Sequence, residues 1–250
     1  FASVQFQWKL ISITKDAIQM NHAISPIPGL RRALNDSEAR AYTAVVETFG
    51  LQFPEGRILS NVILPTGTVR GPETSEYDII FVCRTGIIVF EVKGWSNGRL
   101  RSKKTEGGNG VHEWWIERTD GTIDPVRDPV DQGGFKVRYL LEELKGIHAT
   151  QYTVLTEETL ELDQTVNSHV VQLRDLPYLA RVTKATAKKF YGTTLLSENM
   201  VNAIADAISE LSQRHTPQQH LESINQWVAS KPSEQNPGAD RPVSPIPQSH

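Results

Sequence analysis

Residues 76–93 read Glu76-Tyr77-Asp78-Ile79-Ile80-Phe81-Val82-Cys83-Arg84-Thr85-Gly86-Ile87-Ile88-Val89-Phe90-Glu91-Val92-Lys93. Two dense β-branched and aromatic runs flank the pair Arg84-Thr85, the pattern of a tight β-hairpin. Side chains alternate along a strand, so Ile87, Val89, Glu91 and Lys93 share one face and Ile88, Phe90 and Val92 take the other. In the first run Asp78 shares a face with Ile80 and Val82. If Cys83 pairs with Gly86, Asp78 falls directly opposite Glu91 and Glu76 opposite Lys93, with opposed Cβ atoms about 4.5–5.5 Å apart. Two carboxylates so placed repel each other and lose hydration on an apolar strand pair. A divalent cation compensates directly: Mg²⁺ takes one or two carboxylates, keeps several waters and leaves positions for phosphate oxygens. Lys93 projects beside that ion, where it can position or help deprotonate an attacking water, or neutralise transition-state charge. A surface ion pair between Glu76 and Lys93 is the plain structural alternative.

Before the hairpin, Glu38–Gly50 is expected to be helical. Tyr42, Val45, Val46 and Phe49 repeat at helical spacing, and Gly50 stands at the expected stop. Arg57–Leu64 alternates as a strand. After the hairpin, Arg99–Ser102 and His112–Arg118 read as a second hairpin with Gly107-Gly-Asn-Gly110 at its tip. Asp128-Pro129 opens a helix to about Lys145, with Val130, Val137, Leu140, Leu141 and Leu144 as its apolar stripe. Tyr152–Leu155 and His169–Leu173 are expected strands, and Leu179–Phe190 and Ser197–Ser212 expected helices. This order predicts an α/β fold around a mixed sheet.

Glu38 lies on the inward stripe of the first helix, where an acid needs a partner. It can be a third carboxylate of the metal site. It can equally close a capping box with Asn35, and the two roles are compatible. The basic residues Arg99, Arg101, Lys103 and Lys104 can track a phosphate backbone or form a solvated hairpin. Trp95, Trp114 and Trp115 can stack on bases, although packing is the commoner fate of tryptophan on a sheet. Gln132 sits in the first turn of the helix begun by Asp128, whose free N–H groups can face a phosphate. The acidic stretch Glu157–Asp163 reads as a solvated loop or edge.

The 250-residue chain is 38% hydrophobic and 22% charged, with a formal net charge of -3. A strongly basic nucleic-acid coat is excluded, though a local basic groove is not. The single cysteine, Cys83, permits no intramolecular disulfide and no cysteine-based zinc site, so a cytoplasmic location is expected. No apolar run approaches membrane-spanning length, and no membrane association is expected. Residues 1–29 are expected to be a partly disordered extension without a signal peptide. Residues 229–250, rich in Pro, Ser and Gln, are expected to be a disordered tail. One domain is expected over 30–228.

The helical Glu, then Asp, a hairpin and Glu-x-Lys resemble the PD-(D/E)XK nuclease superfamily. The detail resembles its nuclease-related domain (NERD) family: Tyr77-Asp-Ile-Ile-Phe, Gly86-Ile-Ile-Val-Phe-Glu-Val-Lys-Gly-Trp95 and Asp128-Pro-Val-Asp-Gln132. The motif core covers residues 38–144. The resemblance implies a restriction-endonuclease-like αβββαβ core with a mixed central sheet flanked by helices, followed by C-terminal helices. It implies a Mg²⁺- or Mn²⁺-dependent phosphodiesterase acting on DNA rather than RNA. Asp78, Glu91, the Val92 carbonyl and Glu38 resemble the metal-holding groups, Lys93 the catalytic lysine and Gln132 the helix glutamine beside the site. The family's usual Asn before the proline is Asp128 here, and its usual Gly before the helical Glu is Ser37. Phage or plasmid defence, DNA processing, and a homodimer or complex with a helicase are roles and assemblies such domains imply. A nuclease-like module that binds nucleic acid or protein without cutting is the rival expectation.

Overall fold

The computed structural model describes residues 34–66, 72–105, 112–190 and 195–230. The expected extension at 1–29, the glycine-rich tip at 107–110 and residues 231–250 lie outside these.

A helix, α1 (Asp36–Gln52), leads into strands β1 (Arg57–Pro65), β2 (Thr74–Cys83) and β3 (Gly86–Lys93). Next come β4 (Gly98–Lys104), β5 (His112–Glu117), β6 (Ile123–Val126), helix α2 (Pro129–Glu143) and β7 (Ala149–Leu155). Short strands β8 (Leu160–Leu162) and β9 (Val170–Gln172) precede a 3-10 turn at Leu173–Asp175 and helices α3 (Leu176–Phe190), α4 (Glu198–Ser212) and α5 (Pro217–Ser230). The protein is thus a mixed α/β fold in which α1, β1–β3, α2 and β7 form the αβββαβ core.

The central sheet runs β1-β2-β3-β7-β9, antiparallel through β3 and parallel from β3 to β9. Ile87, Val89 and Ile80 face a layer made by Tyr139 and Leu140 of α2, its C-cap Leu144, and Val201, Ile204 and Ile208 of α4. Ile88, Phe90 and Phe81 face Val45 and Phe49 of α1 and Ala180 of α3. Burial on both sides is why β3 carries an almost unbroken apolar run. The Phe49 and Phe90 rings meet edge to face at 5.2 Å and fix α1 against the strand that carries Glu91. Gly86 closes the β2–β3 turn at φ 120, a conformation that L side chains rarely adopt.

The structure departs from the sequence reading in several places. The expected insertion hairpin gains a third strand, β6, and pairs with β8 to form a separate four-stranded sheet, β6-β5-β4-β8. The acidic stretch 157–163 contains β8 at the edge of that sheet, in line with the expected solvated loop or edge, and Glu161 is bonded to Arg99. Helix α1 continues past Gly50 to Gln52, since the buried glycine packs within the helix and Phe53 caps it. The buried residues of α2 are Pro129, Gly133, Lys136, Tyr139 and Leu140, with Leu144 buried at its C-cap, whereas Leu141 is exposed. Helix α5 was not anticipated, and its last two residues fall in the segment expected to be a tail.

Candidate active site

The β2–β3 ladder has the expected register from Cys83↔Gly86 to Ile79↔Phe90 and stops there. Asp78 and Glu91 are therefore not a ladder pair, and neither are Glu76 and Lys93. The reason lies in the neighbouring strand pair. Ser60↔Ile79 and Val62↔Tyr77 are paired, and the Asn61–Asp78 step between them is missing. Asn61 has φ 50, in the left-handed region. Across this step the alternation changes phase: Leu59 and Val62 both face the α2 layer, as do Ile80 and Tyr77. A one-residue phase change sends every later side chain to the other face. Asp78, at the point of change, does not stand upright beside Ile80. Its Oδ2 instead accepts a 2.7 Å hydrogen bond from the backbone N–H of Val92.

Val92 lines the opened fork. The N–H of Ile87 donates to the His148 carbonyl and that of Thr156 to the Lys93 carbonyl. Odd-numbered residues of β3 thus turn their peptide groups to β7, and even-numbered Val92 turns its N–H and C=O to the β2 side.

Glu91 points to α2 and is 3% exposed. Its Oε1 accepts from Lys93 Nζ at 2.9 Å and from Gln132 Nε2 at 2.5 Å. Its Oε2 accepts from Lys136 Nζ. Gln132 and Lys136 stand four residues apart on one helix face, which brings the Gln132 amide and the Lys136 ammonium to the same carboxylate. Gly133 between them lets α2 settle on β7, because a Cβ there would run into the Gln151 side chain. Tyr77 steadies Lys136 from below: its hydroxyl donates to the Lys136 carbonyl at 3.0 Å, and its ring centroid lies 5.4 Å from Nζ.

The two carboxylates are held at different proton affinities. Burial, then the neighbouring Glu91 charge, push Asp78 up to about 6, against the opposing pull of Lys136, the Val92 N–H and Lys93. Burial also penalises Glu91, but Lys136 and Lys93 outweigh it and hold Glu91 below its ordinary value. A pair of carboxylates driven apart in this way is a common mark of a functional site.

Lys136 is absent from the sequence reading, although the signal was there: a lysine on a helix's inward stripe, one turn after Gln132. Glu38 forms the capping box, with Glu38 N donating to Asn35 Oδ1 at 2.9 Å and Asn35 N to Glu38 Oε2 at 3.0 Å. It is buried and shares an open cavity of about 410 Å³ with Val92, so it flanks the fork on the α1 side. Among the described residues, no three His, Cys, Asp or Glu side chains gather as a metal cluster. The donor set brought together at the fork is two carboxylates and the Val92 carbonyl. That set fits a hard divalent cation, which takes one or two carboxylates and completes its shell with water.

The N-terminus of α2 is not open to a phosphate. Asp128 Oδ1 accepts from the N–H groups of Val130 and Asp131 at 2.8 and 3.0 Å, so Asp128 caps the helix itself. Of the basic candidates, Arg99 pairs with Glu161, and Arg101 with Glu117 and Asp163. Lys103 and Lys104 are exposed. Trp114 is buried in the core of the second sheet with Trp95 packed against that cluster, and Trp115 is half-buried.

The family model of the nuclease-related domain (NERD) matches residues 36–171, just over half of the chain. No curated protein and no solved structure matches it. The match begins at α1 and ends in β9, so it contains Glu38, Asp78, Glu91, Lys93, Gln132 and Lys136. The chain belongs to the nuclease-related domain family.

Proposed function

We propose that the protein is a divalent-metal-dependent nuclease that hydrolyses DNA phosphodiester bonds. The observation that carries this reading is the break in the β2–β3 ladder. There, the buried Glu91 carboxylate, the half-buried Asp78 carboxylate and a strand carbonyl converge beside Lys93. Asp78, Glu91 and the Val92 carbonyl would hold Mg²⁺ or Mn²⁺, with Glu38 positioned to bind its water shell. A bound ion of this kind supplies an activated water and neutralises charge on the phosphate.

The chain's own residues do the rest. Lys93 Nζ, one-fifth exposed and already beside Glu91 Oε1, would orient the attacking water and offset phosphate charge. Gln132 and Lys136 hold the Glu91 carboxylate in one orientation, which fixes the ligand before substrate arrives. Lys103 and Lys104 supply exposed positive charge on the neighbouring sheet for the phosphate backbone. A role in phage or plasmid defence or in DNA processing is the biological extension of this reading.

The test is cleavage of plasmid and single-stranded DNA in Mg²⁺, Mn²⁺ or EDTA. Cleavage is expected in either metal, with none in EDTA and none in Asp78→Ala or Lys93→Ala. Activity that survives EDTA or either substitution removes the mechanism.

One observation favours a second reading. Both Glu91 oxygens are filled by Lys93, Gln132 and Lys136, an arrangement that a non-catalytic module could keep for stability alone. Such a module would bind DNA or protein without cutting in any metal.

A further inference from the structure

A cavity of about 300 Å³ opens beside Glu91, between the start of β2, helix α2 and helix α5. Four aromatic rings line it: Tyr77, Phe135, Tyr139 and Trp227. Gln132 and Lys136, which both bond Glu91, also line it, so cavity and fork share a wall. Arg127 completes the lining with an exposed positive charge. Phe135 is 48% exposed, and the Arg138 guanidinium lies 5.2 Å from its ring centroid. Of the four rings Phe135 is the exposed one and Trp227 is half-buried, whereas Tyr77 and Tyr139 are buried, so the stacking faces the cavity offers are those of Phe135 and Trp227.

Helix α5 is docked to present Trp227 here. Thr74 Oγ1 and His220 Nδ1 share a 2.8 Å hydrogen bond, and the Glu73 N–H donates to Ser223 Oγ at 2.7 Å. These two contacts tie the first half of α5 to the beginning of β2. The helix lies beyond the residues matched by the family model.

We infer that this cavity holds one unpaired nucleobase of a DNA strand whose phosphate lies at Asp78 and Glu91. The inference rests on the reading of that site as one for DNA phosphodiesters. Aromatic rings bind any base by stacking on its π-face, and a base inside a duplex has both faces already covered. The substrate class is therefore single-stranded DNA, a flap or a frayed end. The shared wall sets the spacing, since Gln132 and Lys136 border the base on one side and orient Glu91 on the other. Arg127 would meet the adjoining phosphate.

The test measures binding in EDTA, where the proposed hydrolysis is silent. A single-stranded oligodeoxynucleotide carrying 2-aminopurine is titrated with the full chain and compared with the same sequence as a duplex. The 2-aminopurine fluorescence is expected to be quenched in the single strand on binding. Phe135→Ala and Trp227→Ala are each expected to weaken single-strand binding about fivefold to a hundredfold, the range for loss of one base stack. Duplex binding should change less than twofold. Phe135→Ala removes an exposed ring, so it serves as the folded control if Trp227→Ala loosens α5. A fluorescence signal that never changes, or variants that bind the single strand like wild type or lose both ligands equally, overturns the inference. A protein that cuts DNA but shows no such effect loses only the base pocket. One that shows the effect but cuts nothing loses only the hydrolysis.

Discussion

Asp78 Oδ2 accepts a hydrogen bond from the Val92 N–H at 2.7 Å, replacing the backbone pairing that would have continued the β2–β3 ladder. A side chain thus closes the fork where a carbonyl would otherwise sit. The bond aims a half-buried carboxylate at the strand segment that carries Glu91 and Lys93, and it leaves the Val92 carbonyl facing the same gap.

The first prediction concerns the charge this bond holds. Asp78 titrates near 6 in the folded chain, above its ordinary 3.8. Well below 3.8 both folded and unfolded chains carry the proton, and the group leaves stability unchanged. As pH rises from about 4 to 6 the unfolded chain ionises first, so stability falls through that window and stays lower above it. Asp78→Asn keeps an acceptor for Val92 and removes the charge. It should stabilise the metal-free protein at pH 7 by about 1–3 kcal/mol, with the gain vanishing near pH 4. Urea unfolding in EDTA at the two pH values measures this. A variant less stable than wild type at pH 7 contradicts it.

The second concerns the two lysines on Glu91. The Lys136 and Glu91 side chains are 5% and 4% exposed, and Lys93 is 21% exposed. Breaking a buried ion pair from one side costs about 3–5 kcal/mol, whereas a partly exposed partner costs far less. Lys136→Met should therefore destabilise the fold much more than Lys93→Met. Cleavage should be lost in Lys93→Met while its unfolding curve stays near wild type. Equal destabilisation by the two substitutions would show that Lys136 does not hold Glu91.

Glu38 separates cap from catalysis in one substitution. Glutamine at the third helical position still closes a capping box, so Glu38→Gln should change stability by less than about 1 kcal/mol. Cleavage should fall by tenfold or more, because the carboxylate facing the Val92 cavity is gone. A variant with full activity assigns Glu38 to the cap alone.

The basic residues of β4 should divide by their partners. Lys103 and Lys104 are exposed, and Arg101 is held by Glu117 and Asp163. Lys103→Ala and Lys104→Ala should each lower the salt dependence of DNA binding by a slope of about 1. Arg99→Ala and Arg101→Ala should lower it less. Fluorescence anisotropy across a salt series decides, and a larger effect from the arginines reverses the assignment.

Much of this centre was legible because its residues lie in one hairpin with short-range rules. The Arg84-Thr85 turn set the register through Ile79 and Phe90, and the Asn35–Glu38 cap follows from local spacing. The break at Asp78 was not legible, since it depends on a left-handed Asn61 in another strand. Lys136 was hidden by its charge: a buried lysine is affordable only beside Glu91, a contact between residues 45 positions apart. Strands β6 and β8 are short, and they exist because β5 and β4 offer them edges, which composition does not reveal. The polar sequence of α5 hid a helix held by Thr74 and Glu73.

The central claim is that Asp78 and Glu91 hold a divalent cation. Crystals soaked in Mn²⁺ and measured at the manganese absorption edge test it without reliance on turnover. The account predicts one anomalous peak bonded to oxygens of Asp78 and Glu91 and to the Val92 carbonyl, absent in Asp78→Asn. No peak there, with the Lys136 and Gln132 contacts to Glu91 unchanged, would contradict it.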